Sequence, residues 1–260
     1  MQAGRVGNAS GTGALSLTCR SLAGILCPIM PRTARKAPGG IVFHALNRAV
    51  GRRTIFEKDA DYAAFERVMA HALAAEPLQL LAYCLMPNHW HLLLCPLEDG
   101  QLGRFMHRLT MTHTRRWQEH YMQVGTGHLY QGRFKSFPVQ DDRHFLIVAR
   151  YIERNAVRAH LVERAQDWHW CSLSRRAGRR LETGRPALPL AEWPVRRPSN
   201  WQSWVNEPQT LAEEEAIRHS VLKGKPYGEA SWQQSITARL GLESSLRGTG
   251  RPKKKPEAKP

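Results

Sequence analysis

The chain has 260 residues, with 38 Lys and Arg against 22 Asp and Glu, a formal net charge of +16. A hydrophobic share of 42% excludes wholesale disorder, and the basic excess favours a polyanionic partner, nucleic acid ahead of an anionic membrane surface. No apolar run of about 18 residues is present, so no spanning helix is expected. The five cysteines lack any Cys-x-x-Cys pair, which argues against a disulfide framework or a four-cysteine zinc site and fits a reducing cytoplasm.

In chain order, residues 1–37 read as a disordered leader, rich in Gly, Ser and Ala, with Met30 as an alternative natural start. Ile41–Asn47 has a strand pattern. Asp59 is placed to cap a helix that carries Tyr62, Phe65, Met69 and Leu73 on one face. Leu78–Met86 and His89–Cys95 read as two strands around a tight Pro87-Asn88 connection. A basic helix follows over Leu102–Tyr121, with Leu102, Phe105, Met106, Leu109 and Trp117 inward. Arg133–Val139 is a strand, its Pro138 suggesting an edge. Asp141 is placed to cap a helix running to about Asn155. The order β-α-β-β-α-β predicts an α+β fold, ferredoxin-like or RRM-like, with an antiparallel sheet and its helices on one face. Residues 38–176 form this domain, 177–246 a C-terminal helical region with helices over Pro208–Lys223 and Glu229–Leu240, and 247–260 a basic tail.

Two segments carry chemistry. On the strand that begins Asn88-His89-Trp90-His91, the period of two puts His89 and His91 on one face and Trp90, Leu92 and Leu94 on the other, where helices pack. The pair reads either as half of a metal site on the uncovered face or as two surface histidines. In the second segment, Tyr151 and Asn155 are four apart on a helix whose core stripe is Phe145, Val148, Ala149 and Ile152. A tyrosine beside a core stripe is ordinary packing when taken alone. Together the segments offer a hydroxyl nucleophile, Tyr151, and mixed nitrogen and oxygen ligation from His89, His91 and Asn155 that suits Mn²⁺ or Mg²⁺. Arg133, Lys135 and Arg158 are placed to neutralise phosphate charge. His44 and His144 are further candidate ligands. Tyr121 and Tyr130 are rival nucleophiles that lack an amide residue four positions on. Trp168 and Trp170 read as packing residues ahead of base-stacking ones.

These residues form part of a longer ordered set. It comprises Asn47-Arg48, Met86-Pro-Asn-His-Trp-His-Leu-Leu-Leu, Gly127-His-Leu-Tyr-Gln-Gly-Arg-Phe-Lys-Ser136, Arg150-Tyr-Ile-Glu-Arg-Asn-Ala-Val-Arg-Ala159 and Asp167-Trp-His-Trp-Cys-Ser172. The set resembles the single-tyrosine HUH transposases and, within them, the REP-associated tyrosine transposases; it departs from them at Ala156, where the family usually has Pro. The resemblance implies metal binding by His89, His91 and Asn155 and a nucleophile at Tyr151. It also implies cleavage and rejoining of single-stranded DNA beside REP-like hairpins through a 5′-phosphotyrosine, with a divalent metal ion and no nucleotide cofactor. DNA contacts are expected from Asn47, Arg48, Arg133, Lys135 and Arg158, and from Arg251 and Lys253 of an AT-hook-like tail. The expected state is a monomer or homodimer, cytoplasmic at the nucleoid, with no membrane partner. The competing expectations are a non-catalytic DNA-binding protein and an RRM-type RNA reader, which would place stacking aromatics where this strand has His89 and His91.

Overall fold

The structure is a computed structural model that describes residues 36–178 and 186–246. The predicted leader up to residue 35, including Met30, and the tail with Arg251 and Lys253 lie outside the described residues. The described residues all fall in one compact unit, Arg35–Pro260.

Four strands, β1 (Val42–Arg48), β2 (Gln79–Met86), β3 (His89–Cys95) and β4 (Lys135–Val139), form one sheet in the order β2-β3-β1-β4. Every pairing is antiparallel. Helices α1 (Asp59–Ala75) and α2 (Gln101–His120) complete the β-α-β-β-α-β order. Their apolar stripes, Phe65 and Met69 on one and Phe105 and Leu109 on the other, bury Phe43, Ala45, Trp90, Leu92 and Leu94 of the sheet. The start of α1 differs in detail from the expectation. Asp59 is its first helical residue, and the Asp61 carboxylate reaches back to accept the backbone N–H groups of Glu57 and Lys58 at 2.8 and 3.1 Å.

The second sheet face is also covered, which corrects the expectation of an open one. Helix α3 (Arg143–Glu153) carries Phe145, Val148, Ala149 and Ile152, each fully buried, and needs an apolar partner. With the first face already taken by α1 and α2, α3 packs on Val42, Leu93, Phe137 and Val139 of the other. Its N-cap is Asp142, whose carboxylate accepts the His144 N–H at 2.7 Å, one residue later than expected. A further short helix, α4 (Asn155–Arg158), follows after a break.

Helix α5 (Ser172–Arg176) closes the domain, and the C-terminal region supplies α6 (Trp201–Asn206), α7 (Leu211–Lys223), α8 (Ala230–Leu240) and α9 (Glu243–Leu246). Together with Ser172 of α5, this region pins α3. The Arg150 guanidinium donates to the carbonyls of Trp204 and Glu207, each at 2.8 Å. The buried Glu153 carboxylate accepts from Ser172 Oγ at 2.6 Å and Trp201 Nε1 at 2.7 Å. Burial pushes this carboxyl upward and the two hydrogen bonds pull it back.

Candidate active site

The two histidines come from the first turn of a hairpin strand. β3 begins immediately after Pro87-Asn88, and its register sets His89 opposite Arg48 and His91 opposite Leu46 of β1. Asn88 is held at both ends of its side chain. Its Nδ2 donates to the Arg52 carbonyl at 3.1 Å, and its Oδ1 lies 2.6 Å from His89 Nδ1. His91 Nδ1 lies 2.9 Å from His44 Nε2, and those two rings stack with centres 5.0 Å apart. The His89 and His91 ring centres are also 5.0 Å apart. Both members of the pair therefore have Nδ1 engaged and Nε2 left over, the pattern of imidazole ligands oriented by an outer hydrogen bond.

The surroundings keep both rings neutral. Burial, then the Arg48 and Arg158 guanidiniums, hold His89 down to about 3. Burial holds His91 well below the ordinary histidine range, helped by His89, His44, Arg158 and Arg48. A neutral imidazole is the form that ligates a cation.

Tyr151 is brought across the pair by α3. Its ring centre lies 6.0 Å from that of His91 and 6.3 Å from that of His44, edge-on to both. The Arg158 guanidinium sits 3.9 Å from the Tyr151 ring centre, and Arg48 lies in electrostatic range of the phenol. Two cations from different elements thus border one tyrosine beside two neutral histidines.

Asn155 is placed less simply than the sequence spacing implied. α3 stops at Glu153, and Arg154, with φ −85° and ψ −2°, sits in the bridge region between helices. Asn155 opens α4 and so does not continue the helix of Tyr151. It is buried, its Oδ1 accepts from Arg158 at 2.9 Å, and its Nδ2 has no hydrogen-bond partner. Among the described residues, no group of three or more His, Cys, Asp or Glu side chains is placed to hold a metal ion. The donor chemistry still fits a divalent cation. Two neutral imidazoles have Nε2 left over, and one amide oxygen can exchange its arginine for an ion.

Arg48, Arg133 and Lys135 line a cleft of about 380 Å³ beside β1 and β4, with Leu222 of α7 on its far wall. Asn47 borders the same cleft but is committed elsewhere. It alternates to the opposite sheet face, in register with Trp90, donates to the Gly132 carbonyl at 3.3 Å and accepts from Arg48 N at 2.9 Å. It shapes the loop that presents Arg133.

The rival tyrosines have other tasks. Tyr121 donates to Asp61 at 2.6 Å, and the Tyr130 hydroxyl lies between His113 Nδ1 at 2.6 Å and Trp90 Nε1 at 3.0 Å. Desolvation pushes both phenols up. Of the two extra histidines, His144 pairs with Asp142 at the start of α3, and His44 stands behind His91. Trp168 donates to the Leu85 carbonyl and Trp170 stacks on Tyr62, so both are packing residues. Sequence reasoning missed Asn88 and Glu153 as supports of the site. The signal for Glu153 was a carboxylate adjoining an apolar helical stripe, and for Asn88 its place in the turn directly before the histidine pair.

Fold and site together define a tyrosine–histidine centre borne on an antiparallel sheet under α3. Residues 40–155 match the family described as Transposase IS200 like, a span that runs from just before β1 to the first residue of α4. His44, His89, His91, Tyr151 and Asn155 all fall inside the matched span. Among solved structures, the chain is similar to a REP-associated tyrosine transposase bound to a REP hairpin. That likeness has 17% identity and a TM-score of 0.44 over 63% of this chain and 93% of that one. It is also similar to a putative transposase from Deinococcus radiodurans R1, with 19% identity and a TM-score of 0.34 over 47% of this chain and 93% of that one. No curated protein matches the sequence. No helix among the described residues is long and apolar enough to cross a membrane.

Proposed function

We propose that the protein nicks and rejoins single-stranded DNA beside hairpin-forming repeats, with Tyr151 as nucleophile. The observation that carries this reading is the edge-on approach of Tyr151 to His91, at 6.0 Å between ring centres, under the Arg158 guanidinium and within the span that matches the transposase family. Hairpin repeats as the substrate come from the resemblance in the motifs.

In the forward step Tyr151 Oη attacks the scissile phosphorus. A P–Oη bond forms, the P–O3′ bond breaks, the phenol proton leaves to solvent and the departing 3′ oxygen gains one. A tyrosine phosphodiester conserves the bond energy, so the reverse attack by a 3′-OH reseals DNA without a nucleotide cofactor. His89, His91 and Asn155 would hold a divalent Mg²⁺ or Mn²⁺ ion, which supplies Lewis-acid polarisation of a phosphate oxygen when bound. Arg48 and Arg158 add positive charge where the phosphorane builds negative charge. Arg133 and Lys135, in the neighbouring cleft, are suited to the backbone of the flanking strand, whereas Asn47 acts on DNA only through the loop it holds. The tail residues Arg251 and Lys253 extend the grip in this reading.

One observation favours a non-catalytic DNA-binding protein instead: Asn155 Oδ1 is occupied by Arg158. The two readings part in one experiment. Incubation with hairpin-bearing single-stranded DNA and Mn²⁺ gives a protein–DNA adduct that survives denaturant, and EDTA or Tyr151→Phe prevents it. An adduct that persists in Tyr151→Phe means another nucleophile; tight binding with no adduct under any metal condition means a binder.

A further inference from the structure

His44 is fully buried in the middle of β1 and belongs neither to the histidine pair nor to the apolar packing around it. Three aromatic rings enclose it. His91 stacks on it at 5.0 Å, Phe137 meets it edge-on at 4.9 Å and Tyr151 at 6.3 Å. Its Nε2 lies 2.9 Å from His91 Nδ1, and its Nδ1 is buried with no hydrogen-bond partner. An orphaned buried polar atom costs about 1–3 kcal/mol. A leucine would avoid that cost only by leaving the buried His91 Nδ1 without its partner, so the residue's role lies in its contact with His91 and not in packing.

We propose that His44 is a positioning residue that sets which nitrogen His91 presents to the cation at the scissile phosphate. The inference rests on the metal reading above and extends it by one residue. The two rings share a single proton across the 2.9 Å contact. When His91 Nδ1–H donates to His44 Nε2, His91 Nε2 is bare and free to ligate. When His44 Nε2–H donates instead, neutral His91 must carry its proton on Nε2 and cannot ligate there. A bound cation selects the first arrangement. His44 stabilises it by supplying the acceptor, and its stacked ring fixes the His91 plane. Asn88 Oδ1 does the same for His89 with an ordinary amide acceptor, so each half of the pair has its own support. His44 is thus not a fourth ligand: the nitrogen that would ligate is turned to His91.

Calorimetric titration of the full-length protein with Mn²⁺, in the absence of DNA, tests this. Two variants are compared with the wild type. His44→Leu removes the acceptor and fills the pocket; His44→Gln keeps an amide acceptor near the Nε2 position. The expected result is a Mn²⁺ affinity about 10- to 100-fold weaker in His44→Leu, with recovery to within several-fold of wild type in His44→Gln. The melting temperature of the metal-free His44→Leu protein stays near the wild-type value, since the orphaned His44 Nδ1 is removed while His91 Nδ1 loses its partner. Wild-type affinity in His44→Leu, or equal losses in the two variants, overturns the positioning role while leaving the metal site standing. A wild-type protein with no saturable Mn²⁺ binding overturns the metal reading and this inference with it.

Discussion

Each face of the sheet buries a tyrosine beside histidine, and the two arrangements have opposite characters. Under α1 and α2, the Tyr130 hydroxyl is held between Trp90 and His113, and no atom of the three is a buried orphan. Under α3, the His44–His91–His89 group faces Tyr151, and both His44 Nδ1 and Asn155 Nδ2 are buried without partners. Native proteins satisfy nearly all buried polar groups, so orphans gathered in one place need an explanation. On the first face a polar network closes on itself and gives stability. On the second the polar groups are supported from behind but not closed on one another, which suits the proposed cation site.

The largest expected effect separates the two tyrosines. Tyr151→Phe removes covalent chemistry and leaves the melting temperature nearly unchanged, because no protein hydrogen bond to its hydroxyl is lost. Tyr130→Phe leaves His113 and Trp90 without their partner and costs about 1–3 kcal/mol of stability. Its adduct yield at a permissive temperature stays at the wild-type level. Denaturant melts and denaturing gels on both variants read this directly. If Tyr151→Phe proves as unstable as Tyr130→Phe, the second face is a structural network too and the contrast collapses.

A smaller effect divides the proposed ligands beneath α3. His91→Ala removes a nitrogen that nothing replaces, and nicking falls below detection. Asn155→Ala removes an oxygen that water can replace, and the saturating rate falls roughly 10- to 100-fold. Single-turnover rates across a Mn²⁺ series distinguish the two, since excess metal rescues Asn155→Ala in part. Equal and unrescued losses would mean that Asn155 acts through Arg158, its partner at 2.9 Å, in place of ligating.

The difference between the faces was only partly legible in the sequence. Alternation along His89–Cys95 correctly separated Trp90, Leu92 and Leu94 from the histidines, because a strand's period leaves no freedom once one face is buried. The β-α-β-β-α-β order followed from the periodicity of each segment. Coverage of the histidine face was not legible. It depends on where a third amphipathic helix finds room, a tertiary matter that the α3 stripe does not encode by itself. The break before Asn155 escaped for a related reason. Helical spacing carried Tyr151 and Asn155 on one rod, while anchors distant in sequence, Trp201 on Glu153 and Glu207 on Arg150, fix where the rod stops. His44 was visible as a histidine near the site, but its role depends on the β1–β3 pairing that brings it behind His91.

The smallest effect is in the acid range, where the faces should respond alike without metal and differently with it. Burial holds His113 on the first face and His44 and His89 on the second down to about 3, from an unfolded value near 6.5. Below about pH 6.5 the unfolded chain takes up protons that the folded chain refuses. Stability therefore falls as pH drops from about 6.5 toward 3, and is fully present above that window. Each histidine contributes at most about 1.4 kcal/mol per pH unit to the slope. His113→Gln and His89→Gln should flatten the metal-free curve to a similar degree. Saturating Mn²⁺ then breaks the symmetry. It raises the wild-type and His113→Gln melting temperatures near pH 7 by the same increment, through binding to the folded state. That increment is absent in His89→Gln and shrinks in the others as acid competes for the ligating nitrogens. A Mn²⁺ increment that survives in His89→Gln would place the ion elsewhere and remove the contrast between the two faces.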